Sequence, residues 1–447
     1  MNRALVLLQK AVDVRPEEVR ALLFACLFNF VILGSYYVIR PIRDDIAAAG
    51  GIENLSWLFT GTLVTMLIAN AAFSAIVARM PRRRFLPIAY RFFIANLIVF
   101  YLLMRFCTPA QNVWVGRAFY VWVSVFNLFV VTLFWAFMTD IFNSEQAKRL
   151  FAFIAVGGSL GAIAGPIVTA SLVQKLGAPN LILVTAALLE IAPWCVKVFP
   201  AEFRAPPGRI ETGERKADEE LTDPEVSQRP PTERGADQVI GGGVISGIAH
   251  VFRSPYLLGI CAFMLLHAIT STIVYFQQAD ITGHQFHDRA LRTAFFAQLD
   301  LTVNSLTIIV QLLLTGRLLK WFGVGCTLAF LPVLSIFGFL GMGLMPVLAI
   351  LAVFQVLRRA GNFAVTRPAR EVLFTVLTRE DKYKAKSFID TFVYRAGDQI
   401  GAWSYPLLTW LGLGLTGISF VAAPLAAIWC GLSIWLGKKQ AALANKS

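Results

Sequence analysis

From Trp321 to Leu357 the chain reads WFGVGCTLAFLPVLSIFGFLGMGLMPVLAILAVFQVL, without one charged residue. A second uncharged run follows from Gln399 to Gly437. About 18 consecutive apolar residues suffice to cross a bilayer core as a helix. Each run therefore holds two spans, broken near Gly341–Pro346 and near Gly412–Gly417. The rest of the chain extends this reading. Of 447 residues, 57% are hydrophobic and 15% charged, with 36 Phe, against about 45–50% and about 25% in soluble domains. Too few polar residues remain to cover a water-facing surface, which excludes a soluble enzyme, a fibrous protein and a disulfide scaffold. The six cysteines stand singly in apolar segments, as free thiols packed like small hydrophobes.

Breaks between apolar runs predict an all-α polytopic membrane protein of twelve spans. Six are expected near 19–39, 55–78, 85–106, 113–142, 150–173 and 181–199. Six more are expected near 256–279, 291–319, 324–345, 347–366, 388–410 and 415–436. Residues 1–199 form an N-terminal six-helix half and residues 244–447 a C-terminal one. Between them, residues 200–243 are rich in Pro, Gly, Glu and Arg, read as a disordered cytoplasmic linker with too little apolar surface to fold alone. Two six-helix halves joined by a polar linker is the arrangement of major facilitator-type transporters.

The net charge of +13 points to cytoplasmic loops rather than to nucleic acid. Arg79, Arg82, Arg83 and Arg84 follow the second span. Lys148 and Arg149 follow the fourth, Arg317 and Lys320 the eighth, and Arg379, Lys382, Lys384 and Lys386 the tenth. The positive-inside rule then places these loops and both termini in the cytoplasm, and the loop from His284 to Arg292 outside. Met1–Arg20 lacks an apolar core and a cleavage site, so the first span itself is expected to target the chain to the inner membrane.

Charges within spans are expensive and mark functional positions. Arg358 and Arg359 fall about twelve residues into the tenth span, near mid-membrane, with no acid in that span. Adjacent helical residues point about 100° apart, so they face different partners. Arg395 and Asp398, at i and i+3, read more simply as a pair, as does Glu190 with some partner. Asp300 and Asn304 share a face of the eighth span. Gly157, Gly161 and Gly165, followed by Pro166, are spaced for close helix packing. Arg40-Pro-Ile-Arg43-Asp44 recurs as Arg367-Pro-Ala-Arg370-Glu371, the same pattern at the exit ends of two spans. No P-loop, dinucleotide fingerprint or metal-ligand cluster is present. His284, His287 and Asp288 read as a solvated loop. No cofactor and no enzymatic activity are expected.

Three segments carry a family resemblance: Ile39–Asp44 (IRPIRD), Phe134–Phe137 (FWAF) through Glu145–Arg149 (EQAKR), and Arg367–Glu371 (RPARE) through Lys384–Asp390 (KAKSFID). They resemble the nucleotide (ADP/ATP) translocases of intracellular bacteria and plastids. The resemblance implies a transporter that moves a nucleotide or related phosphorylated anion by alternating access, in exchange for another. It places Arg43 and Arg370 on basic positions required for transport. Where family members carry acids in spans 4 and 7, this chain has Val123–Ser124 and Thr270–Thr272. A small anion held by Arg43, Arg358, Arg359 and Arg370 is the expected partner, in a bilayer-embedded monomer. Arg40, Asp44, Arg367, Glu371, Arg395 and Asp398 are expected to gate or pair. Asp44 and Glu371 are expected to pair with the arginines of the opposite half when no solute is bound. A different solute on the same scaffold, such as a lipid, drug or other organic anion, and a non-transporting sensor are the alternative readings.

Overall fold

A computed structural model describes residues 14–77, 82–142, 144–200, 254–377, 386 and 388–444. Among them the regular structure is helical, with no strand. The N-terminal half contains α1 (Val19–Ala49), α2 (Ile52–Val77), α3 (Arg82–Phe106), α4 (Pro109–Ile141), α5 (Ser144–Leu176) and α6, the pair Ala178–Leu189 and Ile191–Val198. The C-terminal half contains α7 (Pro255–Gln285), α8 (Arg289–Leu313), α9 (Thr315–Leu344), α10 (Leu348–Gly361 continuing to Leu373), α11 (Tyr394–Trp410) and α12 (Leu415–Ala444). Eleven of these helices are long and apolar enough to cross a membrane. The twelfth, α11, has 17 residues and carries Arg395 and Asp398. The expected linker, beyond Pro200, lies outside the described residues, as do Arg79, Arg379, Lys382 and Lys384.

Local chemistry sets the helix starts. Thr108 and Gln111 form a reciprocal capping box at α4, with Pro109 in its first turn. Ser254 and Asp288 accept from the backbone N–H of Leu257 and Ala290 at the starts of α7 and α8. Within α9, Gly323 adopts φ 69°, a conformation only glycine takes without strain. It separates a short basic helix, with Arg317 and Lys320, from the span that begins at Val324.

The helix α1 corrects the sequence reading. It was expected to end at Ile39, before the charged cluster, yet it runs ten residues further, to Ala49. Arg40, Arg43, Asp44 and Asp45 are thus helical residues inside the bundle. Arg40, Asp44 and Asp45 are paired there with groups on other helices, and Arg43 lies over the Tyr120 ring of α4.

Within each half a glycine face lets two helices touch at backbone distance. A Cβ on Gly157, Gly161 or Gly165 of α5 would lie 2.3, 2.2 and 2.7 Å from the carbonyl oxygens of Cys26, Phe30 and Gly34 in α1. In the other half, a Cβ on Gly397 or Gly401 of α11 would lie 3.0 and 3.1 Å from the α7 carbonyl oxygens of Leu265 and Ile269. The halves meet chiefly through α5 on α8, α1 on α8 and α7, and α2 on α11.

Prolines add a second theme. A helical proline lacks an N–H, so the carbonyl four residues before it loses its donor. Pro166 frees Ala162, and Asn304 of α8 donates to that oxygen at 2.7 Å. Pro406 frees Ala402, and Ser56 of α2 donates at 2.5 Å. Both bonds cross between the halves. Pro368 frees Ala364, and Thr315 donates at 2.6 Å. A π-helical turn, Asn362–Thr366, precedes this last proline.

Candidate functional site

Where α1 approaches its end, hereafter the distal end, three acids on the interface between the halves collect most of the charge. Asp45 receives Arg289 at 2.9 Å and Arg292 at 2.6 Å, both from α8. Asp300 of α8 receives Arg40 at 3.0 Å and Arg359 of α10 at 2.6 Å, both on the same oxygen. Asp44 accepts from the Tyr275 hydroxyl of α7 at 2.9 Å, with Arg40 and Arg43 at 4.0 and 3.8 Å. Asp44, Asp45 and Asp300 are at most 4% exposed. Carboxylates buried in this way persist only when paired. Asp45 with its two arginines and the Ser56–Ala402 bond latch the distal end; Asp300 and the Asn304–Ala162 bond join the halves nearer mid-span.

A cavity of about 170 Å³ lies between the halves. Arg43 reaches it from α1, Tyr120, Ser124 and Asn127 from α4, and Arg395 and Asp398 from α11. The Arg43 guanidinium lies over the Tyr120 ring at 4.2 Å, an attraction between cation and ring face. Arg395 binds Asp398 at 3.3 Å and also touches the Met66 sulfur at 3.3 Å, so this pair spans α11 and α2.

Arg358 and Arg359 separate as their spacing requires. Arg359 joins Asp300. Arg358, 3% exposed, is held among the described residues only by neutral oxygens of α7: Ser271 at 2.8 Å, Thr270 at 3.1 Å and the His267 carbonyl at 3.4 Å. Arg370 pairs with Asp390 at 3.2 Å and approaches Glu371 at 3.7 Å, while Lys386 bonds Glu371. The expected pairing of Asp44 and Glu371 across the halves is absent among the described residues: each finds a nearer partner, Asp44 in Tyr275 and Glu371 in Lys386. Arg367 is exposed. Glu190, at the break in α6, pairs with Arg91 of α3 on the exposed outer face.

Among the described residues near mid-span, five guanidiniums, of Arg40, Arg43, Arg358, Arg359 and Arg395, face three carboxylates, of Asp44, Asp300 and Asp398. The buried Nε atoms of Arg43, Arg358 and Arg370 have no partner. Excess positive charge with unmet donors in a low-dielectric interior is the electrostatic form of an anion site.

The family model of the Major Facilitator Superfamily matches residues 21–384. The chain belongs to the major facilitator superfamily. It is a multi-pass membrane transporter of that type. The ADP,ATP carrier protein 1 of Chlamydia muridarum (strain MoPn / Nigg) is 22% identical over 95% of this chain and 88% of its own length. That of Chlamydia trachomatis serovar D is 23% identical over 87% and 82%. The resemblance to nucleotide translocases therefore runs along nearly the whole chain. Among solved structures, a bacterial homologue of the iron transporter ferroportin in an inward-facing state shares the fold at TM-score 0.62 and 10% identity, over 95% of this chain and 100% of that one. A D-xylose–proton symporter does so at 0.61 and 11%, over 94% and 97%.

Sequence reasoning about this transporter missed the bonds of Asp45 to Arg289 and Arg292. Their trace in the sequence is the doubled acid Asp44-Asp45 and two arginines three residues apart. It also missed Asn304 and Ser56 as donors to proline-freed carbonyls, although Pro166 and Asn304 were both conspicuous.

Proposed function

We propose that this transporter moves a nucleotide or related phosphorylated anion by alternating access, in exchange for another. The observation that carries the reading is Arg358: a buried mid-span guanidinium whose partners among the described residues are all neutral. A phosphate leaving water must recover its hydration from charged donors, and guanidinium supplies parallel N–H···O bonds. Arg43 offers a second such group from the opposite half, beside the aromatic wall of Tyr120, and Arg370 a third. The chlamydial relatives are named as ADP,ATP carriers, which supports the nucleotide over other anions. The cavity of about 170 Å³ is smaller than the ~300–1,000 Å³ of typical ligand sites. Its lining includes Arg43 but neither Arg358 nor Arg370, so a solute that engages all three requires the halves to part.

Basic loops at the proximal end, where the chain enters α1, support an inner-membrane orientation with both termini in the cytoplasm. The latched distal end then faces outward, and solute enters from the cytoplasmic side in this conformation. The protein acts as a monomer, its site formed by its own two halves.

The test is transport by the purified protein in liposomes, preceded by a thermal-shift screen of nucleotides, sugar phosphates, inorganic phosphate and dicarboxylates. Arg43→Ala and Arg370→Ala are each expected to lower uptake at least ~tenfold, consistent with losing a hydrogen bond to charge. Wild-type rates in both folded variants, or an uncharged solute, would overturn the proposal.

A further inference from the structure

A separate cavity of about 790 Å³ opens on the outer face of the N-terminal half, near the distal end. Both α2 and α3 lean on α4, with almost no packing between themselves. The result is a wedge floored by α4. Its deep walls are apolar and aromatic: Leu58, Phe100, Val121, Trp122 and Val125. At its mouth sit two exposed indoles, Trp57 and Trp114, the residue type that gathers at the headgroup level of a bilayer.

One charged side chain lines the wedge. The Arg117 guanidinium stacks on the Trp114 ring at 4.5 Å and donates one N–H to Asn54 at 2.8 Å. Its buried Nε has no partner. Among the described residues no carboxylate lies within ion-pairing distance of it. Its depth fits a headgroup. The helix α4 has 33 residues, about 50 Å at 1.5 Å per residue, against a hydrocarbon core of about 30 Å. With α4 centred, its first ~10 Å lie among headgroups; Arg117, eight residues or about 12 Å from its start, sits at the boundary, within reach of the headgroups for a long snorkelling side chain.

We propose that this wedge is a binding site for an anionic phospholipid of the distal leaflet. The headgroup phosphate accepts from Arg117 and an acyl chain lies along Leu58, Val121 and Val125. A charged head fixed at the mouth and an apolar slot running inward match the two parts of such a lipid, whereas a free anion would leave the slot unfilled. The wedge and the Arg43 cavity lie on different faces of α2 and α4 and share no lining residue, so the proposal stands or falls independently of the transported solute.

Tryptophan quenching by phospholipids with brominated acyl chains, titrated into the full-length protein in detergent, tests the proposal. Phosphatidylglycerol is expected to quench at concentrations at least ~tenfold below phosphatidylcholine, the effect of one charge-assisted contact. Arg117→Gln should abolish that preference and Arg117→Lys retain part of it. Ala118→Phe, which fills the wedge and leaves Arg117 in place, should reduce quenching by both lipids. Equal quenching by the two lipids in the wild type, or a preference that survives Arg117→Gln, would overturn it. So would full displacement of the preference by glycerol phosphate, which carries the headgroup without the chains. Unchanged thermal unfolding of the Ala118→Phe protein guards against misfolding as the cause.

Discussion

The two adjacent arginines of α10 separate two duties that one residue could not perform. Arg359 is spent on Asp300, a carboxylate that also holds Arg40, whereas Arg358 meets only hydroxyls and a carbonyl. Their substitutions should therefore diverge. Arg358→Ala is expected to reduce anion uptake at least ~tenfold with little change in melting temperature, because it removes a donor to the solute and no carboxylate. Arg358→Lys should restore a fraction of uptake, as an ammonium keeps the charge without the planar fork. Asp300→Asn should do the opposite and act on stability first. It leaves Arg40 and Arg359 facing each other around a neutral amide, and breaking a buried ionic group of this kind costs about 3–5 kcal/mol. Thermal unfolding in detergent, with uptake measured on the same preparations, separates the two effects.

Helices report the reach and the limit of sequence reading. The glycines of α5 could be read as a packing face because their spacing of four is written locally, and Gly161 lies with its would-be Cβ 2.2 Å from a carbonyl of α1. Gly161→Val is accordingly expected to force α1 and α5 apart and destabilise by at least ~1–3 kcal/mol, as overpacking does. A lowered melting temperature with no preserved uptake is the expected outcome; a wild-type melting curve would show that the helices do not cross there. By contrast, the end of α1 could not be read. Charges at Arg40, Arg43, Asp44 and Asp45 look like the edge of a span when taken alone. Their neutralisers lie on other helices; Arg292, for instance, bonds Asp45 from 247 residues away. The same distance hid the role of Asn304, whose acceptor is a backbone carbonyl and leaves no residue type to recognise. Arg358 and Arg359 were visible as intramembrane charges, yet which of them lacks an acid was decided by α8.

Over the whole molecule, apolar runs and breaks disclosed the twelve-helix plan because membrane insertion imposes it on every segment independently. Loop charge adds a handedness that can be measured. Single cysteines placed at Gln285 and at Arg83 should label oppositely in intact cells treated with a membrane-impermeant maleimide. Position 285 is expected to react and position 83 to stay protected. Labelling at 83 and not at 285 would reverse the orientation, and with it the side on which the Asp45 latch is closed.

The two prolines that donate nothing have a genetic consequence. Asn304 donates to Ala162 where Pro166 leaves that oxygen without its helical donor, and Ser56 donates to Ala402 where Pro406 does the same. An alanine at position 166 would restore the missing N–H, making the donor from the other half redundant. Asn304→Ala should therefore be damaging in the natural background and nearly silent beside Pro166→Ala, and Ser56→Ala should behave the same way beside Pro406→Ala. Such pairs would register as strong epistasis between residues on opposite halves, measurable as a double-mutant coupling of about 0.5–3 kcal/mol. Conserving either donor is then a debt created by the proline, so that loss of the proline in a lineage should release its distant partner to drift.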